Sequence, residues 1–281
     1  MKQFLIDSID HLDLVVWLLV ISFFCTSAMF NNGNIQLAFI GAAGIIIEMM
    51  LISLSIEIII ESLKNKRGLG TLIGFITNGP EALCLLVGLW VGDILFAAST
   101  PLGSNIMNPI MLLTAAIICG RLGSTAKSRP VYTLITIVIT AILAVSFFFI
   151  EPSRYLLWLG VAVLATGILF TLRPHEVVCE TDRAEHVFSP GVWFPPALII
   201  LVSAGYFLDP VVSFAADQSN TPKGLIGFLV LATLTSWPEF KSCMSLLGRN
   251  RPVAAILNIT VSNITNIWLA VCGIGFYLIS L

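Results

Sequence analysis

Nine apolar runs, most of them close to the roughly 20 residues an α-helix needs to cross a bilayer, account for nearly all of this chain. They cover residues 12–30, 35–60, 70–91, 95–118, 131–150, 155–172, 192–208, 224–247 and 253–279. The breaks carry turn or charge signals: Asn31-Asn32-Gly33-Asn34, the cluster 64–67, Gly92-Asp93, 121–130, Glu151-Pro152, 173–191, 209–223 and 248–252. Within lipid each backbone polar group must be satisfied inside its own segment, so runs of this kind read as helices. The expected fold is all-α: a polytopic transmembrane helical bundle of about nine spans. Composition agrees. Only 11% of the 281 residues are charged and mean hydropathy is +0.98, whereas a soluble domain carries about 25% charge. That excludes a cytosolic enzyme, a nucleic-acid binder and a disordered chain. The longest polar stretch, 173–191, leaves no room for a soluble domain. Asp7, Asp10 and Asp13 occupy the place of the basic region of a signal peptide, so the first span is expected to be an uncleaved helix. Cys25, Cys84, Cys119, Cys179, Cys243 and Cys272 show no CxxC spacing and read as small packing residues.

Loop charges test the count. Nine spans put Lys2, Lys64, Lys66, Arg67, Arg121, Lys127, Arg129, Arg173, Arg183, Arg249 and Arg251 on one side. The other side receives Arg154 and Lys223. By the positive-inside rule the N-terminus is cytoplasmic and the C-terminus outside.

The chain also repeats itself. Thr77-Asn78-Gly79-Pro80-Glu81 in span three matches Thr235-Ser236-Trp237-Pro238-Glu239 in span eight. Gly103-Ser104-Asn105-Ile106-Met107-Asn108 in span four matches Val261-Ser262-Asn263-Ile264-Thr265-Asn266 in span nine. Both motifs share one offset, 158 residues. The offset crosses five spans, an odd number, so the two copies run in opposite directions through the membrane. This is an inverted-topology repeat with broken helices at the midplane, a transporter plan whose substrate site lies at the repeat interface. The expected organisation is a first half over 1–130 (motif 74–112), a linking span over 131–150 and a second half over 151–281 (motif 232–270). The counterpart of span five is absent after span nine.

Glu81 and Glu239 each fall about halfway along a span, where an ionised carboxylate costs roughly 2.5–3.5 kcal/mol. A pair facing each other costs more unless a cation lies between them. The bland alternative is a protonated pair that ties two helices together. Pro80 and Pro238 lack an amide hydrogen and release the carbonyls of Ile76 and Leu234; irregular backbone at this depth belongs beside a polar cavity. Thr77 and Thr235 lie four residues before the glutamates, on the same helix faces. Gly74, Gly88 and Ala232 keep those faces slim. Ser104 and Asn108 share a face of the next helix, as do Ser262 and Asn266, and offer neutral oxygens; otherwise they would serve as interhelical hydrogen bonds. Two bidentate glutamates and two carbonyls give about the six hard oxygens that Ca²⁺ takes at minimum. Neither His nor Cys converges there, which disfavours a soft metal.

At these motifs the sequence resembles the cation/Ca²⁺ exchanger superfamily, nearest its sodium/calcium exchanger branch. The resemblance is specific over 74–112 and 232–270. It implies that Glu81 and Glu239 bind Ca²⁺ and Na⁺ at a shared centre and that Thr77 and Thr235 add backbone carbonyls. It further implies that Asn78, Ser236, Ser104 and Ser262 serve flanking Na⁺ sites, that Asn108 is a central ligand with Asn266 opposite, and that the carbonyls of Gly74 and Ala232 line the outer and inner Na⁺ sites. Asn78 stands where Ser is usual, and Asn266 where Asp is frequent. An extra span precedes the usual first one and the last two are missing, so span one is expected to take the place of the tenth helix.

Lys241 points about 200° away from Glu239 around the helix. A pair with Glu48 in span two is expected, as a structural bridge or as a built-in cation that tunes the site. The implied function is a secondary antiporter that exports Ca²⁺ in exchange for Na⁺ or H⁺ by alternating access, with no enzymatic activity and no cofactor. Its expected partners are Ca²⁺, monovalent cations and the lipid bilayer. The alternative is a non-transporting scaffold or regulatory subunit on the same fold. An intramembrane enzyme is disfavoured because His11, His175 and His186 lie outside the spans and no HExxH is present. The acidic loop with Glu176, Glu180, Asp182 and Glu185 fits no EF-hand spacing and reads as a solvated segment. A compact chain without a large regulatory loop suggests the bacterial inner membrane.

Overall fold

The computed structural model describes residues 11–91, 94–176, 188–221 and 236–280. Among these there is no strand, and eight helical segments are long and apolar enough to cross a membrane. In chain order the helices are α1 (His11–Phe30), α2 (Ile35–Leu63), α3 (Leu69–Ile76), α4 (Gly79–Val91), α5 (Ile94–Ile118), α6 (Leu122–Lys127), α7 (Pro130–Phe147), α8 (Tyr155–Thr171), α9 (Pro190–Gln218), α10 (Trp237–Gly248) and α11 (Pro252–Ser280). Span three is α3 and α4 in succession. Span eight of the expected nine, 224–247, is described only from residue 236 onward, where α10 covers its second part.

The repeat is visible in the helix boundaries. The helix start at Gly79 recurs 158 residues on at Trp237, and the start at Ile94 recurs at Pro252. The starts at Gly79 and Trp237 have one cause. Gly79-Pro80 and Trp237-Pro238 put proline at the second helical position, where its missing N–H is not needed. Thr77 ends α3 by donating its backbone N–H to Ile73 O at 2.9 Å, and the first bond of α4 runs from Ala82 N to Asn78 O at 3.0 Å.

Span seven departs from expectation. A break was expected at Asp209-Pro210, but α9 runs on to Gln218, with Pro195, Pro196 and Pro210 inside it. The apolar stretch after Pro210 continues through Val211, Val212, Phe214, Ala215 and Ala216, and one missing N–H costs less than exposing that whole turn to lipid. The longer helix also restores the repeat: α2 and α9 are both 29 residues long.

Two compact units emerge. One comprises 1–62 and 185–238; the other comprises 63–184 and 239–281. In the first, α2 and α9 meet backbone to backbone. A Cβ on Gly41 would come 2.7 Å from Ala215 Cβ, and one on Gly33 would come 2.6 Å from Gln218 O. The turn after α1 receives the end of α9. Asn34 N donates to Gln218 O at 2.8 Å, Asn220 Nδ2 donates to Asn31 O at 3.1 Å, and the Ser27 and Thr221 hydroxyls are 2.7 Å apart. Both segments follow odd-numbered spans, so the nine-span count places them on one membrane face, as their contact requires.

The second unit is built around α11, which is buried along most of its length. Gly70 and Gly74 lay α3 directly on it. A Cβ on Gly70 would overlap the Ala254 backbone, and one on Gly74 would come 2.6 Å from Asn258 O. Phe75, Phe170 and Trp268 close the junction of α3, α8 and α11, with Trp268 Nε1 donating to Thr166 Oγ1 at 2.9 Å. A second apolar cluster joins Leu102 of α5, Phe147 of α7, Trp158 of α8 and Ile274 of α11. At one end of the unit Glu176 accepts from Gly70 N at 3.1 Å and stands 3.9 Å from Arg251 Nε. Arg251 Nη1 in turn donates to Lys64 O at 3.1 Å. These segments follow spans two, six and eight, all even-numbered, so here too the count keeps touching segments on one face.

Candidate functional site

Each glutamate is the third residue of its helix, Glu81 in α4 and Glu239 in α10. Residues in a first helical turn face unsatisfied N–H groups, which favour negative charge. Glu81 is 6% exposed and Glu239 is fully buried. The two carboxylates, equivalent under the repeat, lie within electrostatic reach of each other. Among the described residues no group of three or more His, Cys, Asp or Glu comes together. The centre therefore consists of two acids and neutral oxygens.

Those oxygens come from three helix segments. Ser262 Oγ on α11 lies 3.0 Å from Glu239 Oε1 and 3.1 Å from Asn78 Oδ1, so its single proton serves one of them at a time. Asn78 Nδ2 donates to Gly74 O at 2.9 Å and Ser262 O at 3.1 Å, tying the α3–α4 break to α11. Asn108 Nδ2 on α5 donates to Ser262 Oγ at 3.0 Å. The Thr77 side chain lies close to the Glu239 carboxyl without meeting it in a hydrogen bond. Glu81 Oε2, Glu239 Oε2, Thr77 Oγ1 and Asn108 Oδ1 are buried and accept no hydrogen bond. Orphaned buried oxygens are rare in folded proteins and ask for a reason. Here three of them belong to the 77–81/235–239 motif pair and the fourth, Asn108 Oδ1, to the other repeated motif, and the group is rich in acceptors.

Of the ten residues expected at the site, the structure groups Glu81, Glu239, Thr77, Asn78, Asn108 and Ser262. Ser104 on α5 and Asn266 on α11 are buried, and neither side-chain polar atom of Asn266 has a partner. Ser236 is buried with its hydroxyl unpartnered. Thr235 and Ala232 lie outside the described residues. Lys241 is 3% exposed on α10, while Glu48 on α2 is half-buried.

Sequence reasoning missed Asn258, Ser242, Asn263, Asn105 and Thr140. Asn258 Nδ2 donates to Ser242 Oγ at 2.7 Å directly behind Glu239. Asn263 Nδ2 donates to Thr140 Oγ1 and to Asn105 O, each at 3.2 Å. The signal was present: Asn258, Ser262 and Asn266 recur every four residues, a polar stripe along an apolar helix. Asn105 and Asn263 stand inside the repeated motif itself.

Residues 194–280 match the family described as "Sodium/calcium exchanger protein". That stretch holds the second copy of the repeat, so the all-helical chain is similar there to sodium/calcium exchanger proteins, in keeping with the resemblance of its motifs. Over 216 residues, 73% of this chain and 67% of the relative, it is 24% identical to the protein named "Putative antiporter CaxA" of Alkalimonas amylolytica. No solved structure matches the chain.

Proposed function

We propose that the protein is a secondary active cation antiporter that exports Ca²⁺ in exchange for Na⁺ or H⁺ by alternating access at one shared site. The name of its relative supports antiport in general. The observation that carries the finer reading is the pair of buried, repeat-related carboxylates, each with an unpartnered oxygen, set among acceptors that lack donors. Carboxylate, amide and hydroxyl oxygens without thiol or imidazole suit a hard cation. Glu81 and Glu239 would hold the transported ion, with Thr77, Thr235, Asn108 and Asn266 around it and Asn78, Ser236, Ser104 and Ser262 serving flanking positions.

Coupling follows from charge. Two ionised carboxylates give the empty site about −2, and moving that charge past an apolar gate carries the desolvation cost of unpaired ions. One Ca²⁺, or two monovalent cations or protons, neutralises it. Because the same oxygens serve either load, the two exclude each other and exchange follows. We place the protein in a bacterial inner membrane with the N-terminus cytoplasmic, on the basis of its loop charges.

The test is Ca²⁺ flux into everted vesicles. Glu81→Gln and Glu239→Gln should each abolish it while the protein still reaches the membrane; retained flux in either variant refutes the shared site. Absence of flux in the unmodified protein under both Na⁺ and H⁺ gradients supports the non-transporting scaffold, a reading favoured by the buried Lys241 two residues from Glu239.

A further inference from the structure

The two copies of the serine–asparagine motif share their serine and both asparagines but make different hydrogen bonds. Four asparagines form two repeat-related pairs, Asn105 with Asn263 and Asn108 with Asn266, each 158 positions apart. All four are fully buried. Asn108 Nδ2 donates to Ser262 Oγ and to Asn263 Oδ1, each at 3.0 Å. Asn263 is held in turn by Thr140 of α7 and by the Asn105 carbonyl. Their counterparts Asn266 and Asn105 have no partner at either side-chain nitrogen or oxygen. Half of the amide set is engaged, with only Asn108 Oδ1 left over, and the equivalent half is idle at every side-chain polar atom, although burying an idle amide is costly.

The repeat supplies the missing bonds. Shifting each observed bond by 158 positions turns Asn108···Ser262 into Asn266···Ser104, and Asn108···Asn263 into Asn266···Asn105. Every atom this needs is present on α5 and α11, which pack along each other. The two orphaned amides are thus each other's partners in the symmetric arrangement. In an inverted repeat, exchanging the conformations of the two halves converts a site open to one side into a site open to the other.

We propose that Asn105, Asn108, Asn263 and Asn266 form a two-position amide latch. In the conformation described here the Asn108–Asn263 bonds are closed. In the conformation open to the opposite face they give way to Asn266–Asn105 and Asn266–Ser104. This rests on the alternating-access reading. Asn105 and Asn263 are then positioning residues. Asn263 orients Asn108, which bonds Ser262, which reaches Glu239; Asn105 does the same for Asn266 and Ser104 in the other state. With Asn–Asn and Asn–Ser bonds closed in each conformation, neither is trapped, which turnover requires; the bond to Thr140 of α7 belongs to the present set alone.

The latch makes a prediction that a merely structural role does not. Asn263→Leu opens the present set and Asn105→Leu forbids the alternative, so the two repeat-equivalent substitutions push the conformational equilibrium in opposite directions. One net buried hydrogen bond corresponds to about a fivefold change in the ratio, and two to more than tenfold. The readout is hydrogen–deuterium exchange of the full-length protein in nanodiscs, taken as the exchange in α3 and α4 relative to that in α10. Opposite shifts of about five- to tenfold, with the double variant Asn105→Leu/Asn263→Leu returning close to the unmodified ratio, are the expected result. Shifts in the same direction, or none in the folded variants, overturn the latch. Thr140→Val, which removes only the bond from α7, should shift the ratio in the direction of Asn263→Leu but less far, and replaces it if Asn263→Leu does not fold. Flux through Glu81→Gln and Glu239→Gln separates the two levels. Same-direction shifts with flux abolished remove the latch and keep the antiporter; opposite shifts with flux retained keep the latch and remove the shared glutamate site.

Discussion

Gly74→Ala is expected to strain the site through packing alone. A methyl group at position 74 would come 2.6 Å from Asn258 O, 3.0 Å from Val261 Cβ and 3.2 Å from Ser262 N. None of these atoms is the far end of a flexible side chain, and the Gly74 carbonyl accepts from Asn78 at 2.9 Å. Relief requires α3 to lift from α11, carrying Thr77 and Asn78 with it. Gly103, beside Ser104 in the other motif, has nothing within 4 Å of the same added atom, and its repeat counterpart is Val261. Helix propensity favours alanine over glycine by about 1 kcal/mol at either position, whereas overpacking costs about 1–3 kcal/mol at Gly74 only. The difference between the variants isolates the steric effect, and Gly103→Ala should be the more stable by about 1–3 kcal/mol. Thermal unfolding of both purified variants in one detergent, with Ca²⁺ flux in parallel, measures it. Equal melting temperatures with unimpaired flux in Gly74→Ala would refute the close approach of α3 to α11.

Lys241→Met removes a buried cation two residues from Glu239. It is expected to change the ratio of Ca²⁺ to Na⁺ transported, and unchanged selectivity and coupling in vesicle flux would show that the lysine is structural. The predicted Lys241–Glu48 pair is checked in the same assay, since Glu48→Gln should reproduce the Lys241→Met effect. Arg251 and Glu176 meet at 3.9 Å with little exposure, so Arg251→Met and Glu176→Gln should each lower stability by about 1–3 kcal/mol because each removes one charge of a largely buried ion pair. The double variant should lose less than the sum, and an additive double-mutant cycle in thermal unfolding would contradict the coupling.

Much of this fold was legible because lipid leaves a chain few options. Long apolar runs had to become helices, and the charged breaks located their ends. The boundary at Asp209 was misplaced because Asp-Pro is a strong turn signal in water, while the apolar residues beyond Pro210 and the docking of Gln218 on Asn34 carry the helix onward. The glutamates were legible because an acid in mid-membrane needs a cause and because two motifs shared one offset. Thr140 was not singled out, since its role lies in a bond between α7 and α11 that no local pattern encodes; Asn105 and Asn263 stand in the repeated motif, but the bonds that engage Asn263 are not written there. The asymmetry of those bonds cannot be read from a symmetric repeat at all; it belongs to one conformation.

Equilibrium binding of ⁴⁵Ca²⁺ to the purified protein probes the central claim most directly. One saturable site, displaced by Na⁺ or by protons and lost in both Glu81→Gln and Glu239→Gln, is the predicted result. Binding that survives either substitution would mean that the two buried carboxylates do not share an ion.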